Sequence, residues 1–391
     1  MNVVEGGTTL WLLGLFLVLG FVAHYVGRRA HVPRVTLLLL IGVAVGPSAL
    51  DLVPASVADW FPLVSRITLS MIGFMLGRHF KWGELKQSGR GVLVLSVVEA
   101  VGAAVAVGAA LFVAGAGLAL SLVFAAVAPA TAPAATVDVI REVSAKGPVS
   151  ETTLRVVAID DAWGVLLFSA LVVIVQSTLG VEGEAWGYLL EGAREVFGGV
   201  VLGLLLGAPM AWLSGRVVDG ELTMIETLGA VLIAAGLAEQ LGLSHLIACM
   251  TMGAVVANWG EHDRAFHAIE GASEPFLIVF FLLAGYALEL GSLREVSWFG
   301  LLYVAARAAG KLGGARLGAR LGGLSAPERR YVGWCLLPQA GVALGLGLSL
   351  AEHLPELGPR VLSTLVATTI AFELTGPIAA RLALKRAGEA A

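Results

Sequence analysis

Two neighbouring aspartates, Asp160 and Asp161, interrupt the apolar run Val157–Phe168. A carboxylate in hydrocarbon costs several kcal/mol, about 2.5 to 3.5 on insertion scales, so a pair of them marks a task such as holding a cation or relaying protons. Arg307 and Lys311 stand four apart in a second apolar run, on one face if that run is helical, and Glu99 lies in a third. Consecutive helical residues diverge by about 100°, so the two aspartates cannot share one partner equally and are expected to have different tasks. A hard monovalent cation takes oxygen ligands, and a carboxylate kept out of water can trade that cation for protons near neutral pH. A buried lysine paired with one aspartate can release its proton when an arriving ion breaks the pair. The alternative is an ion-pair network that only fixes helix packing, and Glu99 with Arg307 is read here as such a buried charge pair.

The elements that must position these groups are membrane spans. Of 391 residues, 58% are hydrophobic and 14% charged, and the mean hydropathy is +0.87, which defines an integral membrane protein. Fifty dispersed glycines fit close helix contacts in a bilayer. The net charge of −4 averages over opposite membrane faces and gives no reason to expect a nucleic-acid partner. Cys249 and Cys335 have no second cysteine or histidine at metal-ligand spacing, so neither a zinc site nor a disulfide framework is expected. Taking about 17 to 25 apolar residues per crossing gives thirteen transmembrane helices. With the N-terminus outside and the C-terminus cytoplasmic, 19 of the 25 basic residues fall on the cytoplasmic side.

Two spans carry helix breakers at their centres. The fifth contains Ala128–Thr136 with Pro129 and Pro133, and the twelfth contains Leu337–Gly347 with Pro338 and Gly341. Proline removes a backbone donor and glycine permits non-helical angles, so both spans should unwind at mid-membrane and leave half-helix ends there to hold an ion. Pro129 and Pro338 are 209 residues apart; Ile41–Gly46 resembles Met252–Ala257 at an offset of 211, and Ile72–Gly77 resembles Phe280–Gly285 at 208. These offsets map spans 1–6 onto spans 8–13, an inverted repeat because seven is odd. Thr131 and Thr136 could lend hydroxyl oxygens to an ion or cap the second half-helix. Weaker candidates are Asp138, on the ion's cytoplasmic route; Glu373, deep in the last span; and the loop histidines His262 and His267.

Thr131–Thr136, Val139–Glu142, Ala158–Asp161, Gly310–Gly313 and Glu373–Pro377 together resemble the monovalent cation:proton antiporter superfamily, in particular its bacterial sodium/proton antiporters of thirteen helices. The similarity covers nearly the whole chain, and the paired acidic residues are its most specific element. It implies an all-α transporter unit over residues 1–391, with no enzymatic activity and no cofactor beyond the transported Na⁺ or Li⁺ and H⁺. It further implies a homodimer in the bacterial inner membrane, serving pH homeostasis. The two discontinuous helices would cross in a core domain of spans 3–6 (60–177) and 10–13 (272–382). That core would move, elevator-like, against a dimerisation domain of spans 1–2 (8–50) and 7–9 (190–258). Asp161 would bind the ion and carry protons, Asp160 would complete the Na⁺ site, and Lys311 would pair with Asp160. Arg307, on the same face, resembles the arginine of electroneutral relatives.

Three other functions compete. A K⁺/H⁺ antiporter of the same fold would use the same groups. A sodium-coupled organic anion symporter would keep the broken helices but has no need of adjacent buried carboxylates. An intramembrane aspartyl protease needs its two aspartates on facing helices sharing a water, whereas Asp160 and Asp161 are sequential.

Overall fold

The computed structural model describes residues 3–30, 32–179, 185–214, 223–259, 264–288, 298–339, 343 and 358–390. Among the described residues the chain is all-helical, with no strand. Its α-helices are α1 (Val3–Ala30), α2 (Arg34–Val45), α3 (Phe61–Gly77), α4 (Trp82–Val113), α5 (Leu118–Val127), α6 (Pro133–Glu142), α7 (Pro148–Leu179), α8 (Ala185–Ser214), α9 (Thr223–Gln240), α10 (His245–Trp259), α11 (Arg264–Tyr286), α12 (Trp298–Leu321), α13 (Ala326–Cys335) and α14 (Gly358–Arg386). Six helical segments are long and apolar enough to cross a membrane, and α2, α5 and α10 are shorter apolar helices. Leu10, Trp11 and Phe21 on α1, and Leu205 and Ile233 on α8 and α9, point outward. Such surfaces are costly in water and suited to lipid.

Glycine sets the tightest contacts. Gly310, Gly314 and Gly318 on α12, and Gly322 just past its end, recur every fourth residue and form one face. A Cβ on any of the four would come within 3.0 Å of α4 backbone, at Ala103, Glu99, Leu95 and Gly91 in turn. Small residues at this spacing let two membrane helices approach backbone to backbone. The stripe brings Glu99 of α4 level with Gly314, next to Lys311.

A second pair of contacts repeats itself. Gly42 on α2 and Gly285 on α11 each abut the other helix's backbone, at Leu282 and Leu39, and Gly77 on α3 and Gly253 on α10 do the same at Met250 and Phe74. Ser48 Oγ donates to the Leu288 carbonyl at 2.6 Å, and Asn258 Nδ2 to the Phe80 carbonyl at 2.8 Å. Each contact has its counterpart at the offset of about 210 residues found in the sequence.

Most helix contacts fall within two packing groups, with α7 also packing against α8 across them. Helices α4, α5, α7, α12, α13 and α14 pack together, while α1–α3 pack with α8–α11. Spans 3 and 10 therefore stand with α2, α9 and α10 rather than with the charged helices. The cause is the glycine pairing, which commits one face of α3 to α10 and one face of α11 to α2. Helix α6 lies at the seam, touching α7 and α14 on one side and α2 and α3 on the other.

Candidate ion site

The fifth span is broken as its prolines require. Helix α5 stops at Val127, Ala128–Ala132 follow, and α6 begins with Pro133 in its first turn, where a missing amide hydrogen costs nothing. The twelfth span leaves its helix at Cys335; Leu336–Gln339 are non-helical, and Gly341 lies outside the described residues. The two breaks touch, because the Ala132 amide donates to the Pro338 carbonyl at 2.9 Å. Thr136 caps no helix: its Oγ1 donates to the Cys335 carbonyl at 3.2 Å, which also ties α6 to α13.

Unwinding frees carbonyls in a buried place, and α12 supplies the donors that satisfy them. Arg307 donates from Nε to Ala128 at 3.0 Å, from Nη2 to Ala130 at 2.7 Å and from Nη1 to Leu337 at 2.8 Å. One guanidinium thereby holds both breaks, and the Phe372 ring covers it at 4.4 Å. Lys311, one turn on, donates from Nζ to the Pro129 carbonyl at 2.6 Å and to Thr131 Oγ1 at 2.7 Å.

Lys311 also joins the carboxylates. Its ammonium is 2.5 Å from Glu99 Oε1 and 3.3 Å from Asp160 Oδ2, and all three side chains are fully buried. Thr131 completes the link, since its hydroxyl accepts from Lys311 and donates to Asp160 Oδ2 at 2.6 Å. The structure thus gathers Asp160, Lys311, Thr131, Glu99, Pro129, Pro133, Pro338 and Arg307 into one locus. The expected Glu99–Arg307 pair is not what forms: Glu99 pairs with Lys311, because the planar guanidinium is taken up by three carbonyls. Asp160 is likewise answered by Lys311 and not by Arg307. Asp161 follows Asp160 on α7, and its side chain lies outside the described residues.

Two features could receive an ion. Asp160 Oδ1 and Glu99 Oε2 are buried without a hydrogen-bond partner among the described residues. The Pro129 carbonyl and the Thr131 hydroxyl share the Lys311 ammonium with these carboxylates, so carboxylate, hydroxyl and carbonyl oxygens converge as a hard cation requires. The ammonium that now occupies this cluster is the group a cation would displace.

Other sequence candidates fall elsewhere. Asp138 forms a buried ion pair with Arg34 of α2, which also bonds Glu274 of α11 and donates its own amide to Glu142 at 2.7 Å. Asp138 therefore belongs to a link between α6 and the second packing group. His267 is largely exposed, 3.6 Å from Glu270, and His262 lies outside the described residues. Sequence reasoning missed Tyr303 and Gln339, whose side chains hydrogen-bond at 2.9 Å beside the second break. Gln339 directly follows Pro338, and a polar residue next to a mid-membrane proline was the available signal.

A fold of apolar helices with two touching breaks around buried, paired charges defines a membrane transporter of the ion-coupled kind. The chain belongs to the sodium/hydrogen exchanger family, whose transmembrane profile matches residues 14–385. It is 23% identical over 381 residues to KhtU, a K⁺/H⁺ antiporter subunit of Bacillus subtilis, a match covering 89% of this chain and 91% of KhtU. It is 28% identical over 262 residues to NhaP, a Na⁺/H⁺ antiporter of Pseudomonas aeruginosa, covering 61% of this chain and 58% of that one. Among solved structures, two of the sodium proton antiporter MjNhaP1 from Methanocaldococcus jannaschii share the fold. Their TM-scores are 0.70 and 0.79, at 21% and 20% identity, covering 97% and 100% of this chain and 99% and 100% of MjNhaP1. The family consists of secondary transporters, so this chain is a transporter and not an enzyme.

Proposed function

We propose that this chain exchanges Na⁺ or Li⁺ for H⁺ across a bacterial inner membrane, with Asp161 as the exchanging carboxylate and Asp160 as the partner that sets its charge state. The observation that carries this is Lys311, one buried ammonium shared by Glu99 and Asp160 at the broken stretch of the fifth span. A cation arriving at the aspartates competes with that ammonium for Asp160; once displaced, the ammonium can lose its proton, and protons return when the cation leaves. Competition for one set of oxygens is the coupling.

The same reading takes the chain as thirteen spans with the N-terminus outside, an inverted repeat, and two discontinuous helices crossing at the Ala132–Pro338 contact. The moving body is α4–α7 with α12–α14. The scaffold is α1–α3 with α8–α11, through which two copies associate. In an elevator-like cycle α6 slides past α2 and α3, carrying the breaks and the charges together.

Reconstituted vesicles test this. Na⁺ or Li⁺ added to one side should draw protons from the opposite compartment onto that same side, and Asp161→Asn should abolish the response; retained exchange in that variant would overturn the assignment. K⁺ belongs in the same assay, because the match to the K⁺/H⁺ antiporter subunit KhtU spans more of the chain than the match to NhaP.

A further inference from the structure

Glu373 takes no part in the contacts described above. It lies on α14 with 5% of its surface exposed and makes no hydrogen bond or ion pair among the described residues. Its helix neighbours fix where it is aimed. Ile370 packs with Val43 of α2 and with Leu288, and Leu374 lies against them, so that side of α14 meets the scaffold. Gly376 abuts Pro338, where a Cβ would meet the proline Cα at 2.7 Å, and Phe372 covers Arg307, so the other side meets the second break. At about 100° per residue Glu373 falls between the two sides, about 60° from both Ile370 and Gly376. This is the seam between the packing groups, at the level of Pro338. Thr369, one turn earlier on the same face, is buried, and its Oγ1 has no hydrogen-bond partner among the described residues.

A carboxylate kept from water without a counter-charge does not persist as a bare anion; a proton or a cation neutralises it. Both are what a sodium/hydrogen exchanger moves. We propose that Glu373, with the Thr369 hydroxyl, is a second site that trades a proton for a monovalent cation, placed on the seam along which the cation reaches the aspartates of α7. The inference rests on the exchange reading above. When the cation settles on the Glu373 carboxylate and the Thr369 oxygen, the Glu373 proton leaves to water, and it returns when the cation moves on, so the site stays neutral throughout.

Glu373→Gln discriminates, because an amide mimics a carboxyl that stays protonated and cannot mimic one that exchanges. In vesicles, Glu373→Gln should raise the apparent KM for Na⁺ about tenfold with the maximal rate retained, and Glu373→Asp should recover part of the loss. Thr369→Val should shift KM in the same direction by less. Kinetics indistinguishable from wild type in Glu373→Gln would overturn the proposal. A second measurement does not depend on transport. Adding NaCl in place of choline chloride to purified protein should remove infrared absorption from a protonated carboxyl. That loss should persist in Asp160→Asn/Asp161→Asn and disappear when Glu373→Gln is added. Its absence from the double variant would equally overturn the site. Vesicles of wild-type protein without cation-driven proton movement would refute the exchange reading instead, and the infrared result would still decide for Glu373.

Discussion

Lys311 Nζ stands 2.5 Å from Glu99 Oε1, with both side chains fully buried. The same ammonium is 3.3 Å from Asp160, so its removal would strand two carboxylates out of water. Breaking a buried pair by removing one partner costs about 3–5 kcal/mol, far more than the pair contributes when compared with an apolar replacement. Lys311→Met should therefore lower the thermal unfolding temperature in detergent markedly, and Lys311→Met/Glu99→Gln should recover much of the loss. If the double variant is no more stable than the single, Glu99 is not the stranded charge.

Thr131 contributes one hydroxyl that serves Lys311 and Asp160 together. Thr131→Val keeps the shape and removes both bonds, each to a charged partner and so worth about 1.5–3 kcal/mol. The apparent KM for Na⁺ should rise at least about tenfold, while Thr131→Ser stays close to wild type. Equal kinetics for the valine and serine variants would show that the hydroxyl is not what sets the ion affinity.

Much of this site was legible in the chain's own residue types and spacing. Buried charge in an apolar chain is costly, which singled out Asp160, Lys311 and Glu99, and proline has few uses at mid-span, which singled out the breaks at Pro129 and Pro338. Less legible was which charge answers which. Arg307 and Lys311 share a face, and their different roles follow from where the Ala128, Ala130 and Leu337 carbonyls fall, which depends on how two distant breaks meet. The grouping of helices was hidden for the same reason. Glycines at 42, 77, 253 and 285 announce close contacts, but their partners lie up to about 240 residues away and leave no local pattern.

Glycine substitutions can test that packing. A Cβ on Gly314 would sit 2.9 Å from the Glu99 Cα, against backbone that cannot yield, whereas nothing lies within 4 Å of the position a Cβ would take on Gly236. Overpacking costs about 1–3 kcal/mol, so Gly314→Ala should destabilise the protein and loosen the Glu99–Lys311 pairing. Gly236→Ala should be neutral or stabilising by up to about 1 kcal/mol, because alanine favours an exposed helix interior. Thermal unfolding of the two variants side by side reads the contrast.

His79 stands two residues beyond the Ala55–Gly77 span, on the wall of a cavity of about 480 Å³ between α3, α6, α7 and α11. Burial first, then the charges of Arg78, Arg155, Lys81 and Arg141, push its imidazole down from 6.5 to about 3. Between those values the unfolded chain binds the extra proton and the folded one does not, so this residue's effect is a loss of stability as pH falls from 6.5 toward about 3. His79→Gln, which cannot titrate, should flatten that part of the stability curve when unfolding is followed from about pH 7 to about pH 4. An unchanged slope would mean that His79 takes up its proton over the same pH range in the folded chain as in the unfolded one.

Arg34 ties the scaffold to α6, through ion pairs to Asp138 and Glu274 and through its amide to Glu142. Arg141 of α6 ties back, 3.1 Å from Glu270 of α11. If α6 slides past α2 in every cycle, these contacts are made in one state and broken in the other, and they stabilise only the state seen here. Arg34→Gln removes the charge that joins three elements while leaving the α7 site untouched. The variant should unfold at a lower temperature because Asp138 is left buried without its partner. Its maximal exchange rate should also change while the apparent KM for Na⁺ shifts little, since the altered step is the movement and not the binding. Arg34→Gln/Asp138→Asn should recover stability and keep the altered rate. A double variant that recovers both would assign this link to folding alone.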